Sequence, residues 1–319
     1  MNNRKTNLGR ILGRKDKSAL LNHYYDIVHL HPENKLLIMS EMRLYFKWMR
    51  LHFGKKYLLF NYKTLSFSNF YAIIHLWKGL VIMVYYTGDI HGGKYEIVRF
   101  AKRMNLTAQD IIVILGDVGA NYYETDRDHE LKRAFNKLKP TIFCIHGNHE
   151  IRPANIPTYK MKAWNGGMVW YEEQYPNILF AKDGEIFDME GLSHLVIGGA
   201  YSVDKYYRIA RHYGWWPDEQ PSEEIKDYVE KQLQGKHINV ILSHTCPFKY
   251  EPVEAFLPMI DQSTVDASTE LWLDKIEEVA DYDAWLCGHW HISKRIDKLQ
   301  FMYHDFICSD DLKARVQND

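Results

Sequence analysis

The sequence predicts an α/β fold in which helices cover a β-sheet, and three observations support this fold class. From residue 83 onward, apolar runs typical of buried strands alternate with amphipathic segments of helical period. The connections between them are short, and polar residues follow the ends of the apolar runs. With 319 residues, of which 46% are hydrophobic and 25% charged, the chain can bury a substantial core.

The first part of this region has the order β-α-β-α-β, which is typical of a sheet covered by helices. Three apolar runs predict strands: "VIMVYYTG", "DIIVILGD" and "TIFCIHGN". Between the first two, "KYEIVRFAKRMN" places apolar side chains on one helical face: Ile97, Phe100, Ala101 and Met104. Between the second and third, "DHELKRAFNKLK" predicts an amphipathic helix.

After Ile178 the pattern changes to hairpin-like pieces, "ILFAKDGEIFDMEG" and "SHLVIGGA". Ser222 is a favourable N-cap for the predicted helix "EEIKDYVEKQLQ". A strand "INVILSH", a helix "TELWLDKIEEVAD", a strand "AWLCGH" and a hairpin around Leu299 complete the pattern. We therefore expect residues 83–319 to form a single α/β domain.

Residues 1–82 differ from the rest of the chain in charge. They carry 14 Lys/Arg against 4 Asp/Glu, whereas the remaining residues carry 26 against 37. The formal net charge of -1 therefore conceals a basic leader on an acidic body. Because this leader keeps no helical or strand period for long, we interpret residues 1–82 as a basic N-terminal extension that need not belong to the native protein. The alternative is a genuine extension that contacts nucleic acid or anionic lipid.

Composition also bears on compartment and partners. The four cysteines form no C-x-x-C pair and no secretory signal opens the chain, so we expect a cytoplasmic protein with reduced thiols. The most membrane-like stretch, residues 71–86, is interrupted by His75 and Lys78 and is shorter than the ~20 apolar residues of a spanning helix. We therefore expect no membrane span. The acidic balance of the body argues against nucleic acid as its partner.

Side chains that bind metals follow five of the predicted strands. They are Asp89 and His91, Asp117, Asn148 and His149, His244, and His289 and His291. Any one of them alone is more often a turn residue or a hydrogen-bonded histidine. Ligand sites in open α/β sheets gather beyond the carboxyl ends of strands, so five such ends together predict one metal site. Imidazole, carboxylate and amide ligands suit Mn, Fe, Zn or Ni, and eight groups are too many for one ion but suit two.

The ordered blocks "GDIHG", "GDVGA", "GNHE", "SH" and "GHWH" resemble those of the calcineurin-like metallophosphoesterase superfamily, and the segment 198–221 resembles the equivalent segment of its small bacterial and phage-type members. The resemblance implies a sandwich of two β-sheets flanked by helices. It also implies a binuclear enzyme that hydrolyses phosphoesters by attack of a metal-bridging hydroxide. The phosphorylated substrate is of unknown class. The implied cofactors are two divalent transition metals, Mn first, with Fe, Zn, Ni or Co as alternatives.

The resemblance also assigns roles to the strand-end residues. Asp89, His91 and His291 are implied ligands of one metal, Asn148, His244 and His289 of the second, and Asp117 bridges both. His149 is implied as a histidine outside the ligand set, which stabilises the phosphoryl group or donates a proton to the leaving group. Glu150 is expected to orient it.

The chain departs from the family pattern in two places. It has Ala120–Asn121 where a second aspartate is common, but that aspartate is usually not a metal ligand, so we expect activity to survive. It has His146 where the protein Ser/Thr phosphatases have arginine, so a protein phosphatase is not favoured. The segment 198–221, "GGAYSVDKYYRIARHYGWWPDEQP", is interpreted as a substrate wall. In it Arg208 or Arg211 binds phosphate while Tyr206, Trp215 or Trp216 stacks on a ring. The alternative is a helix whose aromatic residues cap the sheet.

Three functions follow from these patterns. The first is a metal-dependent phosphatase or phosphodiesterase. The second is a catalytically inactive metal-binding scaffold, which would not need His149. The third is a nuclease that uses the basic N-terminal extension to hold nucleic acid.

Overall fold

A computed structural model describes residues 82–316. The helices are α1 (Lys94–Arg103), α2 (Asp126–Asn136), α3 (Lys205–Ala210), α4 (Glu223–Leu233), α5 (Ser268–Val279) and α6 (Ser309–Val316). The strands are β1 (Val84–Thr87), β2 (Ile111–Ile114), β3 (Thr141–Cys144), β4 (Tyr159–Trp164), β5 (Gly167–Glu172), β6 (Ile178–Ala181), β7 (Ile186–Met189), β8 (Leu192–Ile197), β9 (His237–Ser243), β10 (Asp281–Cys287), β11 (Lys294–Ile296), β12 (Leu299–Phe301) and β13 (Ile307–Cys308).

The strands form two mixed sheets. The first has seven strands in the order β13-β1-β2-β3-β6-β5-β4, with β1, β2, β3 and β6 parallel. The second has six strands in the order β11-β12-β10-β9-β8-β7, with β8, β9, β10 and β12 parallel. The predicted α/β sandwich of two sheets with flanking helices is confirmed.

Burial patterns place three apolar clusters around these sheets. One lies between the sheets and combines Val113 and Phe143 of the first sheet with Val196 and Leu242 of the second. Another joins the outer face of the first sheet to α1 and α2, and a third joins the outer face of the second sheet to α4 and α5. The fully buried β2 reads "IIVI" because both of its faces meet apolar layers.

The hairpin of β4 and β5 was not predicted from the sequence. Apart from the buried Tyr159, its edge strand β4 is exposed or half-buried, and it has no long apolar run that would have indicated it. A sequence signal was nevertheless present in the pair Asn165–Gly166. Both residues have positive φ, 47° and 91°, and they connect the paired residues Trp164 and Gly167 in a two-residue turn.

A buried polar contact joins the two sheets through their apolar core. The hydroxyl of Tyr86 on β1 lies 2.6 Å from Nε2 of His194 on β8, and both residues are fully buried. Nδ1 of His194 is 2.8 Å from the carbonyl oxygen of Leu192 and must carry the proton. Nε2 therefore accepts from the tyrosine, and the imidazole is neutral. Burial lowers the pKa of His194 to about 4.

We expect this histidine to make folding stability depend on pH. Between an unfolded pKa of ~6.5 and the folded value of about 4, the unfolded chain binds more protons, so stability falls as pH falls through this window. The limiting slope is about 1.4 kcal/mol per pH unit. Urea unfolding of metal-free protein should show a shallower pH dependence for His194→Gln than for the unchanged chain. Equal slopes would contradict the assignment.

The expectation for residues 1–82 falls, apart from Ile82, outside the described residues, and it stays a prediction. Within residues 82–316, no helix has the length and apolar character needed to cross a membrane.

Candidate metal centre

The fold brings the predicted strand-end residues to one rim. Asp89 and His91 follow β1, Asp117 follows β2, and Asn148 and His149 follow β3 in the first sheet. His244 follows β9, and His289 and His291 follow β10 in the second sheet. Because these five strands run parallel within their sheets, their carboxyl ends point the same way, and side chains from both sheets meet there.

Four of these residues adopt left-handed backbone conformations. The φ angles are 42° at His91, 45° at Asp117, 66° at His289 and 52° at His291. Histidine and aspartate tolerate this region better than most residues, but each such conformation costs of order 1–3 kcal/mol. Several strained backbone conformations at one rim are typical of a functional site.

Two glycines of the sequence blocks allow ligand residues to approach closely. A Cβ at Gly147 would overlap Oδ1 of Asp117, and a Cβ at Gly288 would overlap Oδ1 of Asp89. The glycine before Asn148 therefore makes room for the carboxylate of the preceding block, and the glycine before His289 does so for the first block. The sequence blocks therefore pack directly against one another in the folded chain.

The first group of ligand atoms comprises Asp89, His91 and His291. Nε2 of His91 lies 2.9 Å from Nε2 of His291, and Oδ2 of Asp89 lies 3.3 Å from Nε2 of His291. Oδ2 of Asp89 is buried and has no hydrogen-bond partner among the described residues, whereas Oδ1 accepts from the backbone N–H of His289. The three side chains could hold one metal ion, each through one atom.

The second group comprises Asn148, His244 and His289. Oδ1 of Asn148 lies 2.8 Å from Nε2 of His244 and 3.1 Å from Nδ1 of His289. Nδ1 of His244 donates to the carbonyl oxygen of Leu115 at 2.8 Å, which leaves Nε2 unprotonated toward the centre. Burial lowers the pKa of His289 to about 3, so its imidazole is neutral and available as a ligand.

Asp117 lies between the two groups. Oδ2 is 3.8 Å from Nε2 of His91, and Oδ1 is 3.6 Å from Nε2 of His244. Burial acts to raise the pKa of Asp117. The positive charge that His244, His149 and His91 carry when protonated outweighs this effect together with the backbone N–H of His149, so the carboxyl pKa lies well below its usual range. Its position fits the expected bridge between two ions.

His149 stands beside this centre with its ring partly exposed. Its ring meets that of His91 edge-on at 5.4 Å, and its backbone N–H donates to Oδ1 of Asp117. Burial lowers the pKa of His149, while the nearby carboxylates of Asp117 and Asp204 act to raise it. Nε2 lies 4.0 Å from Oδ1 of Asp204, a residue that the sequence analysis did not select.

Glu150 does not have the expected position beside His149. Its carboxyl group is fully buried, and Oε1 accepts from the backbone N–H groups of Gly147 and Val118. Burial, with a contribution from Asp117, raises the pKa of Glu150 to about 8. The Glu150 side chain points toward the interior. There its carboxyl group connects the loop after β2 to the loop after β3 through these two hydrogen bonds. Asp204 supplies the carboxylate that faces the His149 imidazole.

The two arginines expected to bind substrate have different environments. Arg208 is only 2% exposed, and its guanidinium donates to the carbonyl oxygen of Gly214 and to Oγ of Ser202. The sequence predicted that Arg208 or Arg211 binds a substrate phosphate. The guanidinium of Arg208 is instead buried and engaged with these two groups. Arg211 is exposed, with its guanidinium carbon 5.5 Å from the centroid of the Tyr207 ring.

Three further residues that contact the site were not predicted. The ring of Tyr303 stacks on His291 at 4.8 Å and limits the motion of that exposed imidazole. Ser202 and Glu219 are buried behind Asn148 and hydrogen-bond each other. Ser202 lies in the segment 198–221 that the sequence singled out, but a serine and a glutamate carry no sequence signal of such a contact.

The match to one protein family agrees with this geometry. The model of the family described as calcineurin-like phosphoesterase matches residues 82–293. An uncharacterized protein of Acanthamoeba polyphaga mimivirus is 23% identical over 159 residues, which are 48% of this chain and 50% of that protein. The chain thus spans about half the length of this curated relative.

Solved structures of two bacterial proteins are also similar. A protein from Thermus thermophilus is 15% identical with a TM-score of 0.44, over 74% of this chain and 96% of the other. A protein of unknown function from Aquifex aeolicus is 13% identical with a TM-score of 0.36, over 73% of this chain and 98% of the other.

Proposed function

Because the chain belongs to the calcineurin-like phosphoesterase family, we propose that it is a hydrolase that uses two divalent transition metals to cleave phosphoester bonds. One observation carries the proposal. Ligand atoms from five strand ends converge around Asp117, with Asp89, His91 and His291 in one group and Asn148, His244 and His289 in another. A hydrogen-bonded cluster of turn residues would not need such convergence from two different sheets.

The donor atoms fit metal ions. Oδ2 of Asp89 is buried without a hydrogen-bond partner in the described part of the chain, and such a carboxylate oxygen is costly unless a cation neutralises it. The set of imidazole, carboxylate and amide donors, without a thiolate, suits Mn first, with Fe, Zn, Ni or Co as alternatives. Two such ions, when bound, would activate a water molecule for attack and neutralise charge on the phosphoryl oxygens.

The protein's own residues then perform distinct tasks. The carboxylate of Asp117 spans the two groups and fixes their separation. The imidazole of His149, at the open side of the centre, donates a proton to the departing oxygen or stabilises its charge. Asp204, at the start of α3, places a carboxylate oxygen 4.0 Å from Nε2 of that imidazole. The combination of His149 and Asp204 favours an enzyme over a metal-holding scaffold, which would not require either.

The segment beyond Asp204 supports a substrate with a flat ring. Tyr206 on α3 is 70% exposed, and Nζ of Lys205 lies 5.8 Å from its ring centroid. The same ammonium lies 4.4 Å from the ring centroid of Trp215. Exposed Arg211 remains available to a phosphate oxygen. The nuclease alternative depends on the basic extension, which lies outside the described residues.

Chelation followed by metal add-back tests the proposal. We expect chelator to abolish hydrolysis of a generic phosphomonoester or phosphodiester without unfolding the protein, because three apolar clusters stabilise the fold independently. Mn should restore turnover, with Co, Ni or Fe as substitutes, while Mg alone should restore little because it prefers hydrated all-oxygen shells. Activity should fall at acid pH and be partly recovered by excess metal. Full activity in chelator, or with Mg alone, would overturn the proposal.

A further inference from the structure

The amide of Asn148 can be a metal ligand only in one of its two orientations. Its oxygen binds a cation, whereas its NH₂ group would point hydrogens at it. The two ends of an amide have nearly the same shape, so packing alone does not select between them. In the structure Oδ1 faces His244 and His289, and Nδ2 donates to Oγ of Ser202 at 2.8 Å.

The hydrogen bonds of Ser202 explain this orientation. A serine hydroxyl has one proton to donate, and that of Ser202 goes to Oε2 of Glu219 at 2.6 Å. The other carboxylate oxygen of Glu219 accepts from the backbone N–H of Ser202 at 3.1 Å, so both residues are held in place. Toward Asn148, Oγ of Ser202 can therefore only accept. It must face the NH₂ group of the amide.

Arg208 imposes the same condition from another side. Nη1 of Arg208 lies 2.9 Å from Oγ of Ser202, and a guanidinium can only donate. Ser202 is thus surrounded by two donors and one carboxylate, all of them buried. Reversing its hydroxyl would break the bond to Glu219 and direct the proton at a donor. The arrangement leaves a single consistent pattern.

We propose that Ser202, fixed by Glu219 and Arg208, is a positioning residue that sets the amide of Asn148 with its oxygen toward the second metal position. This inference rests on the proposed function, since it concerns one ligand of the proposed centre. It assigns a task to the buried Arg208, whose guanidinium donates to Oγ of Ser202 and lies 3.7 Å from Oδ1 of Asp204.

Metal titration of the full-length chain tests the inference without measuring activity. Metal-free Ser202→Ala and Glu219→Gln are titrated with Mn²⁺ by calorimetry. We expect one of the two metals to bind about 10–100-fold more weakly, the usual effect of removing a partner behind a ligand, while the other is unchanged. Ser202→Thr keeps the hydroxyl and should restore binding. Ser309→Ala is the matched control, because this buried serine of α6 hydrogen-bonds Glu190.

A double-mutant cycle separates positioning from general loss of structure. Aspartate in place of Asn148 presents an oxygen in either orientation, so adding Ser202→Ala to Asn148→Asp should not weaken Mn²⁺ binding further. A full loss in that background, or unchanged binding by Ser202→Ala alone, would overturn the inference. If instead Asn148→Ala binds both metals as tightly as the unchanged chain, the ligand assignment in the proposed function fails.

Discussion

Replacing Asp117 by alanine is expected to abolish phosphoester hydrolysis and to reduce the amount of bound metal. The carboxylate lies within 3.8 Å of His91 and 3.6 Å of His244, residues of the two separate ligand groups. Asp89, the other carboxylate of the centre, lies nearest to two residues of a single group, at 3.3 Å from His291 and 3.9 Å from His91. We therefore expect hydrolysis to fall by much more than the factor of about 10–100 that is typical when a residue that only supports a ligand is removed.

The measurement pairs metal content with turnover of a generic phosphoester. Asp110→Ala is a suitable control because Asp110 is also a buried aspartate beside β2, at the opposite end of the strand. Its carboxylate accepts from the backbone N–H groups of Met83 and Thr107, so its loss should lower stability but leave metal content intact. An Asp117→Ala protein that keeps both metals and its turnover would refute the bridging assignment.

The strand-end ligands could be predicted from the sequence because each of them follows an apolar run directly. Parallel strands carry such residues to one rim of each sheet, so Asp89 and Asp117 meet through the pairing of β1 with β2, and the packing of the two sheets brings His244 to them. The two-sheet fold followed from the same blocks. The β4–β5 hairpin was missed because an exposed edge strand has a weak apolar pattern, and the short C-terminal elements β13 and α6 were missed as well.

The residues behind the ligands could not be predicted in this way. Ser202 is 54 residues from Asn148, and Glu219 is a further 17 residues along the chain. Their contact depends on how the loop after β8 folds over the site, which neither period nor spacing reveals. The same reason explains Arg208, whose charge suggested a substrate contact while its position in α3 directs it toward Ser202. The charge of an arginine makes it a candidate for phosphate binding, but only its burial in the folded chain shows which groups it contacts.

His149 differs from the ligands in what its removal should change. Its imidazole stands at the edge of the centre between Asp117 and Asp204, and its backbone N–H holds Oδ1 of Asp117 whatever the side chain is. The main-chain contact should therefore survive substitution, and the ligand atoms should stay in place. A proton donor matters most when the departing oxygen is a strong base, which gives a kinetic criterion for its task.

We expect His149→Ala to bind two metals as the unchanged chain does and to lose about 10²–10⁴-fold in turnover of an alkyl phosphoester. With a p-nitrophenyl ester the loss should be much smaller, because that leaving group departs without a proton. Asp204→Asn, which keeps the shape of the side chain, should show the same leaving-group dependence with a smaller loss. Equal losses for both esters would assign His149 to charge stabilisation at the phosphoryl group, and undiminished turnover of the alkyl ester would remove it from the mechanism.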